Sequence, residues 1–150
     1  MFIFDVESMA PYPALPEGLR WGELSRHEHY SLVRSRTQIP RSEKTLSSLP
    51  SLAVYPEGSE MPIAWVFVGL DASLTSLHVE PEYRGKGLAK AITTKLLKEK
   101  TGPSYKEDGL EMLAHGYVIV GNEASAGMCR SLGGKADWEV YWLRVDLSKV

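Results

Sequence analysis

The sequence lacks the features that would mark a secreted, membrane-spanning or nucleic-acid-binding protein. Its 150 residues hold one cysteine, Cys129, which excludes an internal disulfide and favours a reducing compartment. The formal net charge is -2, whereas chains that bind nucleic acid through bulk charge usually carry a basic stripe. The opening MFIFDVE has a short apolar triplet before Asp5 and Glu7, so it fits neither a secretory signal nor a bilayer span. We therefore expect a cytoplasmic protein that binds no nucleic acid and no membrane.

The pattern that is present predicts one mixed α/β domain. A content of 43% hydrophobic and 24% charged residues is ordinary for a globular chain that can bury one core. Apolar periodicity and turn residues predict strands over 19–24, 51–55, 62–70, 73–79, 115–122, 135–139 and 140–147, and helices over 26–36, 88–100 and 123–132. The stretch 41–50 stays open between a short helix and a loop.

Local details support three of these expectations. Residues 8–18 hold three prolines, so we expect residues 1–18 to form an extended arm and 19–150 to form the domain. Ser25 and Glu28 have the spacing of a capping box at the start of the first helix. In strand 73–79, Thr75, Leu77 and Val79 alternate with Ser76 and His78, which predicts two distinct faces.

A turn with two glycines, Arg84-Gly85-Lys86-Gly87, joins a predicted strand to a predicted helix. Glycine allows close approach of a ligand to the backbone, and a helix N-terminus carries partial positive charge. The free N–H groups there would suit a phosphate or diphosphate, and Arg84 and Lys86 would strengthen the attraction. A turn whose glycines serve geometry alone is the alternative.

Two familiar phosphate-binding motifs do not fit this turn. A P-loop would need Ser or Thr after a glycine–lysine pair, but Lys86 lies between the glycines. The dinucleotide motif G-x-G-x-x-G fails because Lys90 stands at its third glycine. The ligand is therefore expected to be a different phosphate compound.

The run LHVEPEYRGKGLAKAI resembles a motif of the GNAT superfamily of acyl-CoA-dependent N-acyltransferases, L-x-V-x-P-x-[YF]-R-[GN]-x-G-[LIV]-[AG]. The matching residues are Leu77, Val79, Pro81, Tyr83, Arg84, Gly85, Gly87, Leu88 and Ala89. A later block, NEASAGMCRSLGG, is similar to a second GNAT motif through Asn122, Ser125, Leu132 and Gly133. The resemblance covers roughly residues 19–147 and implies a central, mostly antiparallel twisted sheet with helices on both faces.

This resemblance also implies a site for acetyl-CoA, with CoA as product. Backbone groups of Leu77, His78 and Val79 would bind the pantetheine arm. Amides from Arg84 to Ala89, namely those of Arg84, Gly85, Lys86, Gly87, Leu88 and Ala89, would hold the diphosphate. Asn122 and Ser125 would contact the pantetheine or the adenine end. No metal is expected.

The acid and base are less evident. The resemblance places the usual base at Ser73 or Thr75, neither of which is a useful base near pH 7, and the usual proton donor at Cys129. A thiol of ordinary pKa could protonate a leaving thiolate, or Cys129 could be a small buried apolar residue. His78 and Glu80 are further titratable groups nearby, and His78 should lie opposite Leu77 and Val79, on the acceptor side or as a solvated or core histidine.

Three functions follow from these observations. The first is N-acetyl transfer, or transfer of another short acyl group, to a primary amine of a small molecule. The second is binding of CoA or another ligand without ordinary acetyl transfer, or with diverted chemistry, because Ser73, Thr75 and Cys129 replace the usual acid and base. A protein acetylase is weaker, since nothing resembles a peptide-recognition module. Arg34, Arg36, Arg41 and Lys44 form either a solvated basic face or an anion site, and a homodimer is an open expectation.

Overall fold

Seven strands of the described residues form one mostly antiparallel sheet. The computed structural model describes residues 1–37, 39–101, 111–141, 143 and 145–149. The strands are β1 (Phe2–Asp5), β2 (Leu19–Gly22), β3 (Ser51–Pro56), β4 (Ala64–Val68), β5 (Ser73–Val79), β6 (Leu113–Gly116) and β7 (Lys135–Ala136). Their spatial order is β2-β3-β4-β5-β6-β1-β7. Only β5 and β6 are parallel among these neighbours, which confirms the predicted sheet.

Helices cover both faces of this sheet, as predicted. They are α1 (His27–Ser35), α2 (Glu43–Ser47), α3 (Leu88–Lys100) and α4 (Glu123–Ser131). Strand β4 is buried on both sides and divides its residues between two cores. Trp65 and Phe67 pack with α1 and α2, while Ala64, Val66 and Val68 pack with α3 and α4. The apolar run at 62–70 is therefore a central strand.

Helix α3 is positioned by the apolar stripe found in its sequence. Leu88, Ile92 and Leu96 are 2%, 0% and 0% exposed, and each buried side chain of this kind contributes about 1.5–3 kcal/mol. Lys98 and Lys100 lie in its last turn, where positive charge suits the helix dipole. This burial fixes the N-terminus of α3 against the end of β5.

Two helix starts differ in how they are capped. At α1, the Nδ1 atom of His29 accepts from the backbone N–H groups of Ser25 and Arg26 at 3.3 and 3.4 Å. The capping box predicted between Ser25 and Glu28 is therefore wrong, because a buried histidine takes the acceptor role. At α2, Ser42 accepts from the backbone N–H of Thr45 at 3.0 Å, so the stretch left open contains a short helix.

The N-terminal segment contributes a strand to the interior of the sheet. Strand β1 pairs with β6 and with β7, and Phe4 is fully buried. Residues 10–16 form no helix or strand, but Tyr12 is anchored to α3. Its hydroxyl donates to Glu99 at 3.0 Å and accepts from Lys95 at 3.2 Å. The division into an arm at 1–18 and a domain at 19–150 stays a prediction, yet residues 2–5 belong to the sheet.

The C-terminal expectations need correction. The strand predicted at 115–122 is observed at 113–116, and the one predicted at 135–139 is limited to Lys135–Ala136. Of the strand predicted at 140–147, residues 142 and 144 lie outside the described residues, and 140, 141, 143, 145 and 146 have no strand. The neighbours of β6 in the described sheet are β5 and β1. In the part of the chain described here, no helix is both long and apolar enough to cross a bilayer.

Candidate functional site

A β-bulge distorts β5 immediately before the glycine turn. Trp65 of β4 lies opposite His78, and Phe67 lies opposite Thr75, so β5 contains one residue more than β4 between these pairs. Ser76 has a φ of 53°, a backbone conformation that residues other than glycine rarely adopt. The extra residue is therefore Ser76, and it interrupts the ladder.

The bulge also changes which side chains share a face. Leu77 and Val79 pack toward α3, whereas Thr75 lies opposite Phe67 and His78 opposite Trp65, on the face of α1 and α2. The predicted grouping of Thr75 with Leu77 and Val79 is thus wrong. The additional residue, Ser76, shifts the alternation of side chains by one position, so Thr75 lies on the other face from Leu77 and Val79.

Strands β5 and β6 separate just where this distortion begins. Their register pairs only Ser73 with His115 and Leu74 with Gly116. Beyond Leu74, no described residue of β6 pairs with the edge of β5. An open strand edge can hydrogen-bond to an extended ligand that bears amides.

The glycine turn follows directly and leads into α3. Gly85 and Gly87 have φ values of 73° and 77°, which favour glycine because a Cβ would be strained there. Gly87 is the N-cap of α3, and among the described residues it brings no side-chain hydrogen bond to cap the helix. The first-turn amides of α3 therefore need water or a ligand as partner. Together with the helix dipole, they make an anion site.

These parts enclose a cleft of about 650 Å³ between β5, the turn and α4. It is lined by Leu77, His78, Val79, Tyr83, Arg84, Gly85, Gly87, Leu88, Ala89, Lys90, Asn122, Ala124, Ser125, Met128 and Ser131. The structure thus brings together every predicted cofactor residue except Lys86. The Nζ atom of Lys86 lies 5.1 Å from the centre of the Tyr83 ring. The Nε atom of Arg84 donates to the carbonyl of Val79 at 2.9 Å, which closes the turn onto the strand end.

The family of the chain is settled by comparison with known proteins. The profile of the FR47-like protein family matches residues 51–143, more than half of the chain and all of the central elements from β3 to β7. The chain belongs to the FR47-like family. This membership confirms the GNAT superfamily predicted from the two motifs. No curated protein matches the chain.

Solved structures share the fold of this FR47-like protein at low sequence identity. A Drosophila protein superposes with a TM-score of 0.74 at 20% identity over 91% of this chain and 46% of its own length. The ribosomal-protein-S18-alanine N-acetyltransferase of Escherichia coli gives 0.55 at 21% identity over 77% and 76%. AAC(6')-Iy, solved with the bisubstrate analogue CoA-S-monomethyl-acetylneamine, gives 0.66 at 14% identity over 85% and 98%. The chain therefore spans less than half of the Drosophila protein.

Helix α4 supplies the far wall of the cleft in the FR47-like protein. Asn122 caps it by accepting from the backbone N–H of Ser125 at 3.1 Å, as its sequence predicted. Ser125, Met128 and Ser131 follow at intervals of three residues and line the cleft. The motif comparison missed Met128 and Ser131, although their helical spacing from Ser125 could have found them. It also missed Tyr83 as a site residue, although Tyr83 stands within the motif.

The predicted catalytic residues do not gather in this cleft. Cys129 is 3% exposed and packs in the core beneath α4, and burial raises the pKa of its thiol to about 11. Ser73 and Thr75 lie on β5 ahead of the bulge and do not line the cleft. Thr75 Oγ1 accepts from an Nη atom of Arg41 at 2.7 Å, and the Ser73 backbone N–H donates to Asp71 at 3.1 Å. Their catalytic roles stay predictions.

Further polar groups of the FR47-like protein lie on the α1 and α2 face. A cavity of about 410 Å³ opens there, lined by Arg34, Thr37, Ile39, Pro40, Arg41 and Ser42. Arg36, one of the predicted basic residues, is paired with Glu80 instead, at 3.0 Å. Within the described residues, no group of three or more His, Cys, Asp or Glu side chains is placed to hold a metal ion.

Proposed function

We propose that this FR47-like protein is an acyl-CoA-dependent N-acyltransferase, which moves an acetyl or short acyl group to a primary amine of a small molecule. One observation carries the proposal: within the described residues, a helix N-terminus without a side-chain cap and a strand edge without a pairing partner face the same cleft. A CoA thioester has a diphosphate for the first and amide groups for the second. Few other metabolites carry both in one extended molecule.

The residues would divide the ligand between them. Backbone groups of Leu77 to Val79 would pair with the pantetheine amides as an added strand. The amides of the glycine turn and the first turn of α3 would hold the diphosphate. Ser125 on α4 would meet the pantetheine from the opposite wall. This arrangement would direct the thioester towards the bulge, where β5 and β6 separate.

The chemistry requires an amine held against the thioester carbonyl. Helices α1 and α2 pack on the face of the sheet that carries Trp65 and His78. The cavity beside Arg41 opens on that same face. Holding the two reactants together can lower a barrier by about 7–11 kcal/mol. Positioning of this kind supports transfer even though Ser73 and Thr75 are weak bases.

The proposal also names the class of acceptor. The names of the similar structures cover a ribosomal protein's alanine and an acetylneamine analogue, so the fold alone favours neither a protein nor a small molecule. We favour a small amine because the Arg41 cavity has a volume of about 410 Å³, at the lower end of small-ligand sites. The homodimer and the cytoplasmic location stay predictions.

Thiol release tests this function directly. Acetyl-CoA is incubated with neamine, an α-amino acid and a peptide that begins with alanine, and free CoA thiol is titrated. We expect amine-dependent release with at least one of the small amines. Release with the peptide alone would overturn the small-molecule acceptor, and no release with any amine would overturn transfer to these classes.

A second function is favoured by the placement of Cys129, Ser73 and Thr75 outside the cleft. The protein would then bind CoA without transferring the acyl group. Calorimetry with CoA separates the two functions. Binding without thiol release supports this second function, whereas absence of binding at millimolar CoA contradicts both.

A further inference from the structure

We propose that His78 accepts the amine proton during acyl transfer, and that Glu80, held by Arg36, orients its ring. This proposal rests on the transferase function proposed above and assigns its missing base. The predicted base positions, Ser73 and Thr75, and the predicted proton donor, Cys129, all lie outside the lining of the cleft.

The position of His78 follows from the bulge. Its backbone belongs to the β5 edge that lines the cleft, while its side chain lies opposite Trp65, on the face of α1 and α2. The residue thus connects the acyl-CoA side of the sheet to the acceptor side. Its neighbour Leu77 points the other way, toward α3. A base is needed where these two sides meet.

The ring has neighbours on two sides. It stacks on Trp65, with ring centres 4.7 Å apart and planes inclined by 19°. Its buried Nε2 atom lies 3.5 Å from Glu80 Oε2, longer than a good hydrogen bond. The other Glu80 oxygen accepts from Arg36 Nε at 3.0 Å. Nε2 therefore faces the Glu80 carboxylate, and the amine proton would go to the other ring nitrogen, Nδ1.

Burial of the ring favours its neutral form. Burial lowers the pKa of the His78 imidazole from its ordinary 6.5, and Arg84 and Arg36 act in the same direction. Glu80 opposes this effect and would stabilise the imidazolium once a proton has been taken. A base that is neutral at pH 7 and stabilised after protonation is suited to general-base catalysis.

The chain has four histidines, and the other three have different surroundings. His29 is occupied at both nitrogens, since its Nε2 lies 2.9 Å from the carbonyl of Glu60 and its Nδ1 caps α1. His27 is exposed and pairs with Glu43. His115 lies on β6, 3.7 Å from Asp71, and does not line the cleft.

His78 would act in one step of acyl transfer. The amine lone pair forms a bond to the thioester carbonyl carbon, and the π pair of the carbonyl moves to oxygen. The nitrogen, now positively charged, gives one proton to Nδ1 of His78. Collapse of the intermediate breaks the carbon–sulfur bond and releases CoA thiolate. The thiolate takes up one proton, from His78 or from water, and the amide remains.

The test compares His78→Gln with His115→Gln as a matched control. Both histidines are mostly buried, with side chains 17% and 20% exposed, and both lie near a carboxylate. Acetyl transfer to the amine that works best with the wild type is followed between pH 5 and 9, and CoA affinity is measured by calorimetry. We expect His78→Gln to lower kcat by about 100-fold or more while leaving CoA affinity within about twofold.

The pH dependence distinguishes a base from a structural residue. In the wild type, kcat/KM should rise with pH through an inflection below 6.5, because only neutral His78 can accept the proton. His78→Gln should lose that inflection, and His115→Gln should keep it. Glu80→Gln should move it to lower pH, because Glu80 holds the pKa of His78 up.

Each outcome decides the proposal. Loss of both rate and inflection in His78→Gln alone supports it. A wild-type rate and pH profile in His78→Gln overturn it. So does a loss of kcat in His115→Gln that equals the loss in His78→Gln, if both variants keep the wild-type inflection. If the wild type binds CoA but transfers to no amine, the transferase function fails and His78 has no proton to accept. That result is distinguishable because it appears in the wild type.

Discussion

Replacing Gly87 with alanine tests whether the glycine turn is shaped for a ligand. Gly87 has a φ of 77°, and a Cβ added there would meet no atom within 4 Å. The substitution therefore causes no crowding inside the protein. Its cost is the left-handed backbone itself, about 1–2 kcal/mol for a residue with a Cβ.

This strain appears in one of two measurable quantities. If the turn keeps its conformation, the free energy of unfolding falls by about 1–2 kcal/mol and CoA affinity is preserved. If the turn relaxes, unfolding changes little, but CoA must restore the conformation and its Kd rises by about 5–30-fold. The two losses together should come to about 1–2 kcal/mol, unless the new methyl group also contacts the diphosphate and weakens binding further.

Gly58 provides the matched control. It lies in the turn between β3 and β4, has a φ of 76° and likewise leaves open space for a Cβ. Urea unfolding and calorimetry with CoA should be run on both variants. Gly58→Ala should lose about the same unfolding free energy or less, with unchanged CoA affinity.

Two results would refute this reasoning. Equal weakening of CoA binding by Gly58→Ala would show that the effect is a general loss of stability. Wild-type stability together with wild-type affinity in Gly87→Ala would show that the turn tolerates other conformations and that its glycines are not required.

Three further predictions concern the core and the bulge. Because burial raises the pKa of the Cys129 thiol to about 11, alkylation of the native protein at about pH 8 should be slow, and the folded state should lose stability as the pH rises from about 9 towards 11; Cys129→Ala should keep its transfer rate. Phe4→Ala should cost about 3–5 kcal/mol in urea unfolding, and Ile3→Ala, at a half-buried position, clearly less; equal losses would contradict the buried role of β1. Deleting Ser76 should preserve thermal stability but weaken CoA binding about tenfold or more, because one or two backbone hydrogen bonds to the ligand would be lost. Unchanged affinity would show that the bulge is dispensable.

The cleft was predictable because its parts are local in sequence. The strand end, the glycine turn and the start of α3 occupy one continuous stretch, 77–90, and turn chemistry is a short-range property. Helix α4 enters through a second continuous motif whose N-cap, Asn122, was also recognised. Its residues Ser125, Met128 and Ser131 share one side of the cleft at helical spacing.

The errors arose where long-range packing decides. Ser125 and Cys129 are separated by only about 40° around a helix of 3.6 residues per turn, yet the boundary between cleft and core runs between them. Spacing alone could not locate that boundary. Likewise, β1 takes the place beside β6 through a pairing that spans more than 100 residues, and no local pattern encodes it. The buried cap at His29 depends on Tyr55 and Glu60, which follow far along the chain.

The bulge would connect the proposed binding and chemical parts of the site. Without Ser76, the side chains of β5 at 74, 75, 77, 78 and 79 would alternate regularly between the two faces of the sheet. The strand could then pair with β4 along its whole length. The additional residue instead holds Ser76 at a φ of 53°, a conformation that costs about 1–3 kcal/mol outside glycine. Regular pairs on both sides, Phe67 with Thr75 and Trp65 with His78, supply the packing that maintains it. Removal of Ser76 would relieve this strain without moving any core side chain to the wrong face. The strain therefore does not serve stability. A ligand-binding role explains why it is kept at the point where β5 and β6 separate.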